Sequence, residues 1–364
     1  MKILFILEYF HPNIGGVETL FKALTDRLVN DGHKIIVLTT KVSKDSPFKE
    51  GSEKWIIYRF PFINRFIFTF LGFFPALYLS FKCDLIHTSS YNAGVPAFFA
   101  GLFSRKKVVI TFHEVWGRLW FSLPYLSLPL RYLYFYYELL LIKMPFDRYI
   151  AISKFTKRAL INSKVPEDKI QLIYNGINYS DFLPKSESVV ENETYTFCFF
   201  GRLGVSKGLD LLLDAIEDLS KRNVKFKLNL IIPKTPKRFY NLIQKLISRK
   251  CIEDHIDQFD NLSFDDLKSK IKSSDAVIIP SHSEGFGFSA VESVALGMPI
   301  ITSGKGSLSE VVSGKFIMMK DHSASGLAKA MELAIDDKWE SSNLMKFELS
   351  NSVNDLVELY KTLE

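Results

Sequence analysis

Short apolar runs recur along this chain, and many are followed by a stretch with helical spacing. In the first half they are Lys2–Leu7, Lys34–Thr39, Trp55–Phe60, Asp84–His87, Lys107–Thr111 and Arg148–Ile152. Runs of this length read as strands buried on both faces of a sheet. Between the first two, Val17 to Asn30 places Leu20, Leu24 and Leu28 at helical intervals, and Gly32 stops the pattern. Strand, helix, strand in that order calls for a crossover and hence parallel pairing, so the fold class is α/β. The second half repeats the theme. Thr194–Gly201, Phe226–Ile232, Ala276–Pro280 and Pro299–Thr302 read as strands. Leu209–Leu219, Phe239–Ser248, Ser289–Leu296 and about Ser342–Leu363 read as helices.

A chain of 364 residues is longer than one hydrophobic core usually supports. Two domains are expected, 1–183 and 194–364. The polar, charged stretch from Leu183 to Thr194, with Pro184 and no periodicity, serves as linker. The net charge of +6 is uneven: residues 1–190 hold 24 Lys and Arg against 15 Asp and Glu, leaving an excess of acids in the rest. The first half therefore suits an anionic partner. Nucleic acid is not expected, because no dense basic stripe or binding module is present. Cys83, Cys198 and Cys251 are far apart and form no ligand spacing or disulfide framework, which suits a reducing cytosol. The N-terminal run passes straight into Glu8 and His11 and does not read as a signal peptide.

Residues 55–150 hold 27 of the chain's 51 aromatic residues, and Phe66–Phe81 carries no charge. Gly72 and Pro75 interrupt that run, which is shorter than the ~20 residues of a spanning helix. Two readings stand. The region packs as helices on the sheet, or it forms a monotopic surface that holds the protein at the cytoplasmic membrane face.

Three loops carry candidate chemistry, each after a strand and before a helix, where open α/β sheets bind ligands. The first, Pro280-Ser-His-Ser-Glu284-Gly-Phe-Gly-Phe288, runs on to Glu292, Gly297 and Pro299. Helix-end N–H groups suit phosphate, and Glu284 and Glu292 suit a hydroxyl-rich ligand. The alternative is a plain turn with solvated acids. The second, Gly201-Arg202-Leu-Gly204 with Lys207-Gly208, makes a diphosphate cradle of two cations and three glycines, or else a basic surface turn. The third, Pro12-Asn-Ile-Gly15-Gly16-Val-Glu18, leaves bare backbone for a ligand to approach. It is not a dinucleotide fingerprint, so a nicotinamide oxidoreductase is remote.

In order along nearly the whole chain, Gly15-Gly16-Val-Glu18, Gly32-His33, Asp84-Leu-Ile-His87, Thr111-Phe-His113, Ile152-Ser153, Asn175-Gly176, Gly201-Arg202 with Lys207-Gly208, and Glu284-x7-Glu292 before Gly297-x-Pro299 resemble glycosyltransferase family four. Tyr9 to Glu18 also looks like the enzymes that glycosylate phosphatidylinositol. The resemblance implies a GT-B architecture, two Rossmann-like domains facing a central cleft, with residues 1–183 binding acceptor and 194–364 binding donor. It also implies a last helix that packs back on the first domain.

The activity it implies is transfer, with retained anomeric configuration, from a nucleotide diphosphate sugar to a glycan or lipid-linked acceptor. Arg202 and Lys207 would neutralise the diphosphate, and Glu292 would hold the ribose hydroxyls. Glu284 and the amides of Gly285, Phe286, Gly287 and Phe288 would bind the donor sugar. Gly15 and Gly16 would lie by the phosphate, and His113 near the anomeric carbon. No cofactor and no metal are expected, since the chain has no Asp-x-Asp. Two positions depart from the family pattern: Glu114 stands where Asp is common, and Ser303 to Glu310 matches the glycine-rich stretch loosely. A nucleotide-sugar epimerase or hydrolase of the same fold, and a non-catalytic glycan- or lipid-binding protein, remain as alternatives.

Overall fold

A computed structural model describes residues 1–13, 15–43, 45–62, 64–182 and 193–363. The linker expected at 183–194 falls mostly outside these. The chain divides into two compact units, Met1–Trp120 with Pro129–Gly176 and Phe347–Glu364, and Phe121–Leu128 with Ile177–Lys346.

The first unit contains β1 (Lys2–Ile6), α1 (Gly16–Asn30), β2 (Lys34–Thr40), β3 (Lys49–Gly51), β4 (Trp55–Phe60), α2 (Arg65–Leu71), α3 (Phe73–Ser80), β5 (Leu85–Ser89), α4 (Gly94–Ser104), β6 (Lys107–Phe112), α5 (Leu128–Lys143), β7 (Arg148–Ala151), α6 (Lys154–Asn162) and β8 (Ile170–Leu172). Its sheet runs β3-β4-β2-β1-β5-β6-β7-β8 and is parallel apart from the β3–β4 pair. Strand order turns outward in both directions from β1 and β5, which makes the mouth between them a topological switch point.

The second unit contains β9 (Thr196–Phe200), α7 (Leu209–Lys221), β10 (Lys227–Ile231), α8 (Lys237–Lys250), β11 (Ile256–Phe259), α9 (Phe264–Lys272), β12 (Ala276–Ile279), α10 (Phe288–Ala295), β13 (Ile300–Thr302), α11 (Leu308–Val311), β14 (Gly314–Met318), α12 (Ala324–Ile335) and β15 (Glu340–Ser342). The order β11-β10-β9-β12-β13-β14-β15 puts its switch point between β9 and β12. The excursion 121–128 belongs here, with Tyr125 edge-on to Phe239 at 5.3 Å.

The last helix, α13 (Leu349–Lys361), starts later than the sequence pattern suggests. Glu340–Ser342, three exposed polar residues, are instead drawn into antiparallel pairing with β14. From α13, Val353, Leu356 and Tyr360 join Leu20, Phe21, Leu24 and Leu28 of α1 in one core against β1, β2 and β5. His87 lies in this core, fully buried, with Thr111 Oγ1 2.8 Å from Nε2 and the Tyr360 hydroxyl against Nδ1. Burial, with the charge of His113 nearby, pushes the His87 pKa down to about 3, so it packs as a neutral ring. The opposite face of the sheet is covered by Phe68, Ala76, Leu79, Ala97, Ala100 and Leu141 from α2 to α5.

Candidate functional site

Two of the singled-out side chains, Lys207 and Glu284, meet at the switch point of the second unit, and the charge of Lys207 reaches a third, Glu292. After β9 the chain turns at Gly201 (φ 147°) and reaches α7 through Gly208, whose φ of 70° is left-handed. A Cβ on Gly208 would lie 2.1 Å from the Pro280 carbonyl oxygen. The bare backbone therefore sets the start of α7 against the end of β12, and Lys207 reaches the loop beyond. Gly208→Ala combines a left-handed strain with a backbone clash and is expected to destabilise the protein by about 3 kcal/mol or more in urea unfolding. Unchanged stability would overturn this account of the contact.

Lys207 Nζ donates to Glu284 Oε1 and Oε2 at 2.8 and 3.0 Å, and Ser281 Oγ donates to Oε1 at 2.7 Å. Glu284 is only 4% exposed. Its carbonyl accepts from the Ser307 N–H at 2.9 Å and hydroxyl at 3.1 Å. Gly306 (φ 67°) permits this approach, since a Cβ there would be 2.3 Å from the same oxygen. The loosely matching stretch around Gly306 thus acts as the clamp of the Glu284 loop. Ser283, buried in that loop, has a hydroxyl with no partner among the described residues. His282 Nε2 lies 2.9 and 3.0 Å from the two oxygens of Asp210 and ties the loop to the first turn of α7.

Glu292 follows one turn into α10. Burial pushes its carboxyl up to about 7, against the pull of the Lys207 charge. The folded pKa is above the unfolded 4.5, so this group's stabilising contribution is full below pH 4.5, declines as pH rises and is gone above about 7. Glu292→Gln is expected to remove a decline on the order of 3 kcal/mol between those limits, read from urea unfolding on either side. Parallel pH profiles for wild type and variant would overturn it.

Of the other candidates, Gly287 caps α10 at φ 83°, and Phe286 is 2% exposed and edge-on to Phe288 at 5.1 Å. Phe286 therefore anchors the loop in the core. Arg202 is exposed and makes no hydrogen bond or ion pair with the described residues.

In the first unit Gly15 is the N-cap of α1 and Gly16 its first residue. Glu18, 7% exposed, accepts from Asn13 Nδ2 at 3.0 Å and folds back over Gly15, where a Cβ would meet its Oε2 at 2.3 Å. His113 follows the end of β6, and its N–H donates to Ser90 Oγ at 3.3 Å. The loop beyond it is organised by a residue the sequence reading passed over. Glu138 on α5, 2% exposed, accepts from the Trp116 N–H (3.0 Å), the Gly117 N–H (2.6 Å) and Trp120 Nε1 (3.1 Å). The Tyr91 hydroxyl lies 2.9 Å from its Oε2 and 2.7 Å from the Glu114 carbonyl oxygen. Its one sequence signal is a lone carboxylate in the apolar run Leu128–Lys143.

The class is set by likeness to known proteins: a glycosyltransferase of GT-B fold. The family model for Glycosyltransferase Family 4 matches residues 14–181, and that for Glycosyl transferases group 1 matches residues 183–348. The chain belongs to the family-four type of glycosyltransferase. It is 26% identical to an uncharacterized glycosyltransferase of Methanocaldococcus jannaschii, over 99% of this chain and 94% of that one. It is 22% identical to a phosphatidylinositol N-acetylglucosaminyltransferase chain of Homo sapiens, over 92% of this chain and 68% of that one. Among solved structures, sucrose-phosphate synthase from Thermosynechococcus elongatus superposes with a TM-score of 0.78 at 20% identity, covering 100% of this chain and 99% of that one. Anabaena HepE in complex with UDP and glucose gives 0.74 at 17% identity, with both chains fully covered. The α/β GT-B fold expected from the sequence is thereby established.

Proposed function

We propose that this chain is a retaining glycosyltransferase that moves a sugar from a nucleotide diphosphate sugar to a glycan or lipid-linked acceptor without a divalent ion. The observation that carries this reading is the Lys207–Glu284 pair at the β9/β12 switch point, with Glu292 close enough to feel the Lys207 charge. The complex of HepE with UDP and glucose supports a donor of this class.

The bond from the anomeric carbon to the phosphate oxygen breaks, and its electron pair leaves with the diphosphate. The acceptor hydroxyl oxygen bonds to the same face of that carbon, and its proton passes to the departing phosphate oxygen. Charge grows on the diphosphate, where Arg202, Lys207 and the N–H groups at the start of α10 would stabilise it. An ammonium has three N–H donors, and Glu284 engages at most two from Lys207, so a donor remains for phosphate. Glu284 would take donor-sugar hydroxyls and Glu292 ribose hydroxyls. Gly15 and Gly16 would admit the phosphates, and His113 would contact the sugar.

Thermal unfolding with UDP, GDP, ADP and their sugars tests the donor. One nucleotide series is expected to raise Tm, since a ligand bound only by the folded state stabilises it. No shift with any of them would overturn the reading in favour of a non-catalytic protein. Donor turnover that proceeds equally without acceptor would favour hydrolysis or epimerisation. Loss of turnover in excess EDTA, restored by Mn²⁺ or Mg²⁺, would overturn the metal-free assignment.

A further inference from the structure

We infer that the outward face of α2, α3 and α4 docks on a lipid bilayer that carries anionic headgroups. No helix among the described residues is long and apolar enough to cross a membrane, so the question is one of surface. These three helices are inside out for a water-facing layer. α4 turns its small residues, Ala97, Ala100 and Gly101, onto the sheet, with Gly101 so close that a Cβ would lie 2.1 Å from a Val108 methyl. Its large residues Leu102 and Phe103 are 58% and 62% exposed. α3 buries Ala76 and Leu79 while Phe74 and Tyr78 face out, and Phe70 of α2 is 72% exposed. Phe73 sits 5.6 Å from Phe74 and 5.8 Å from Phe103, so the patch is continuous across α3 and α4.

The other face of the same sheet serves as an internal control. There α1 turns Lys22–Asp26 and Arg27–Asp31 ion pairs outward. Water alone therefore does not account for the aromatic face.

Charge decides the occupant. Between Arg65 and Lys107 the only acid is Asp84, whose carboxylate is taken by the Lys2 N–H at 2.6 Å. Lys82 and Arg105 are exposed at the C-terminal ends of α3 and α4, beside Phe81 and Phe103, and Lys106 follows. Lys82 Nζ lies 4.0 Å from the Tyr78 ring. Aromatic rings rimmed by cations match the boundary between acyl chains and anionic headgroups. A second copy of this chain would bring the same cations together, which disfavours self-association.

The full chain is tested by co-sedimentation with vesicles of phosphatidylcholine alone or with roughly 30% phosphatidylglycerol. Wild type is expected to pellet with the anionic vesicles and to be released by salt. Phe70→Ser/Phe74→Ser/Phe103→Ser should weaken partitioning by at least about ten-fold. Lys82→Gln/Arg105→Gln should flatten the salt dependence. The wild-type protein remaining in the supernatant with anionic vesicles would overturn the proposal, as would a triple variant that pellets equally well. A wild-type dimer in sedimentation velocity that the triple variant converts to monomer would also overturn it, assigning the face to a second copy. Nucleotide-induced Tm shifts, measured on the same samples, report the donor site separately, so either result stands without the other.

Discussion

Lys207→Ala is expected to lower kcat/KM for donor turnover by about 10²–10³-fold, read as the initial rate of nucleoside diphosphate release. A fixed cation beside the departing diphosphate acts where charge develops, and a preorganised group of this kind is a large single contribution to rate. The same change leaves Glu284, 4% exposed, with only Ser281 on its carboxylate among the described residues. Breaking a fully buried pair costs about 3–5 kcal/mol. The Lys207 side chain keeps 23% of its exposure, so solvent screening reduces the expected loss to about 2 kcal/mol. The double variant Lys207→Met/Glu284→Gln separates the two effects. Removing both charges should recover most of the stability while turnover stays low. Turnover recovering together with stability would show that Lys207 acts only as a structural counter-ion.

What the sequence revealed follows from how the two sheets are buried. Strands such as β1, β2, β6 and β9 lie between helical layers, so their apolar runs are nearly continuous and their limits fall within a residue or two of the expected ones. β3, β8 and β15 are three-residue strands at sheet edges. Their pairing is made by backbone, and side-chain pattern carries little of it, which is why β15 left no mark in the sequence and its last residue, Ser342, read as the start of the final helix. The site behaves in the same way. Lys207, Glu284 and Glu292 stand out as charges beside glycines at strand ends, and the fold gathers them. The partners that fix them, Ser281, Ser307 and the Asp210–His282 contact, are common polar residues whose meaning depends on which loops touch. His87 shows the reverse. It belongs to a motif of the family, yet its ring packs neutral between Phe21 and Tyr360, joining β5 to α13.

Glu138→Ala is expected to destabilise the protein by about 3 kcal/mol or more and to reduce kcat by about ten-fold in the folded fraction. The carboxylate is buried and accepts from two backbone N–H groups and an indole N–H, with the Tyr91 hydroxyl in reach. Each donor left unmet costs about 1–3 kcal/mol, and the loop that begins at His113 loses its fixed course. Glu138→Gln discriminates between shape and charge. The Gly117 N–H points at Oε1, while the Trp116 N–H and Trp120 Nε1 point at Oε2. An amide in either orientation must set its NH₂ against at least one of these donors, so Gln should be nearly as damaging as Ala despite its size. Urea unfolding measures the first effect, and the donor-to-acceptor transfer rate at saturating substrates measures the second. A Gln variant as stable and as active as wild type would mean that side-chain volume, and not a carboxylate accepting on both oxygens, holds the loop after β6.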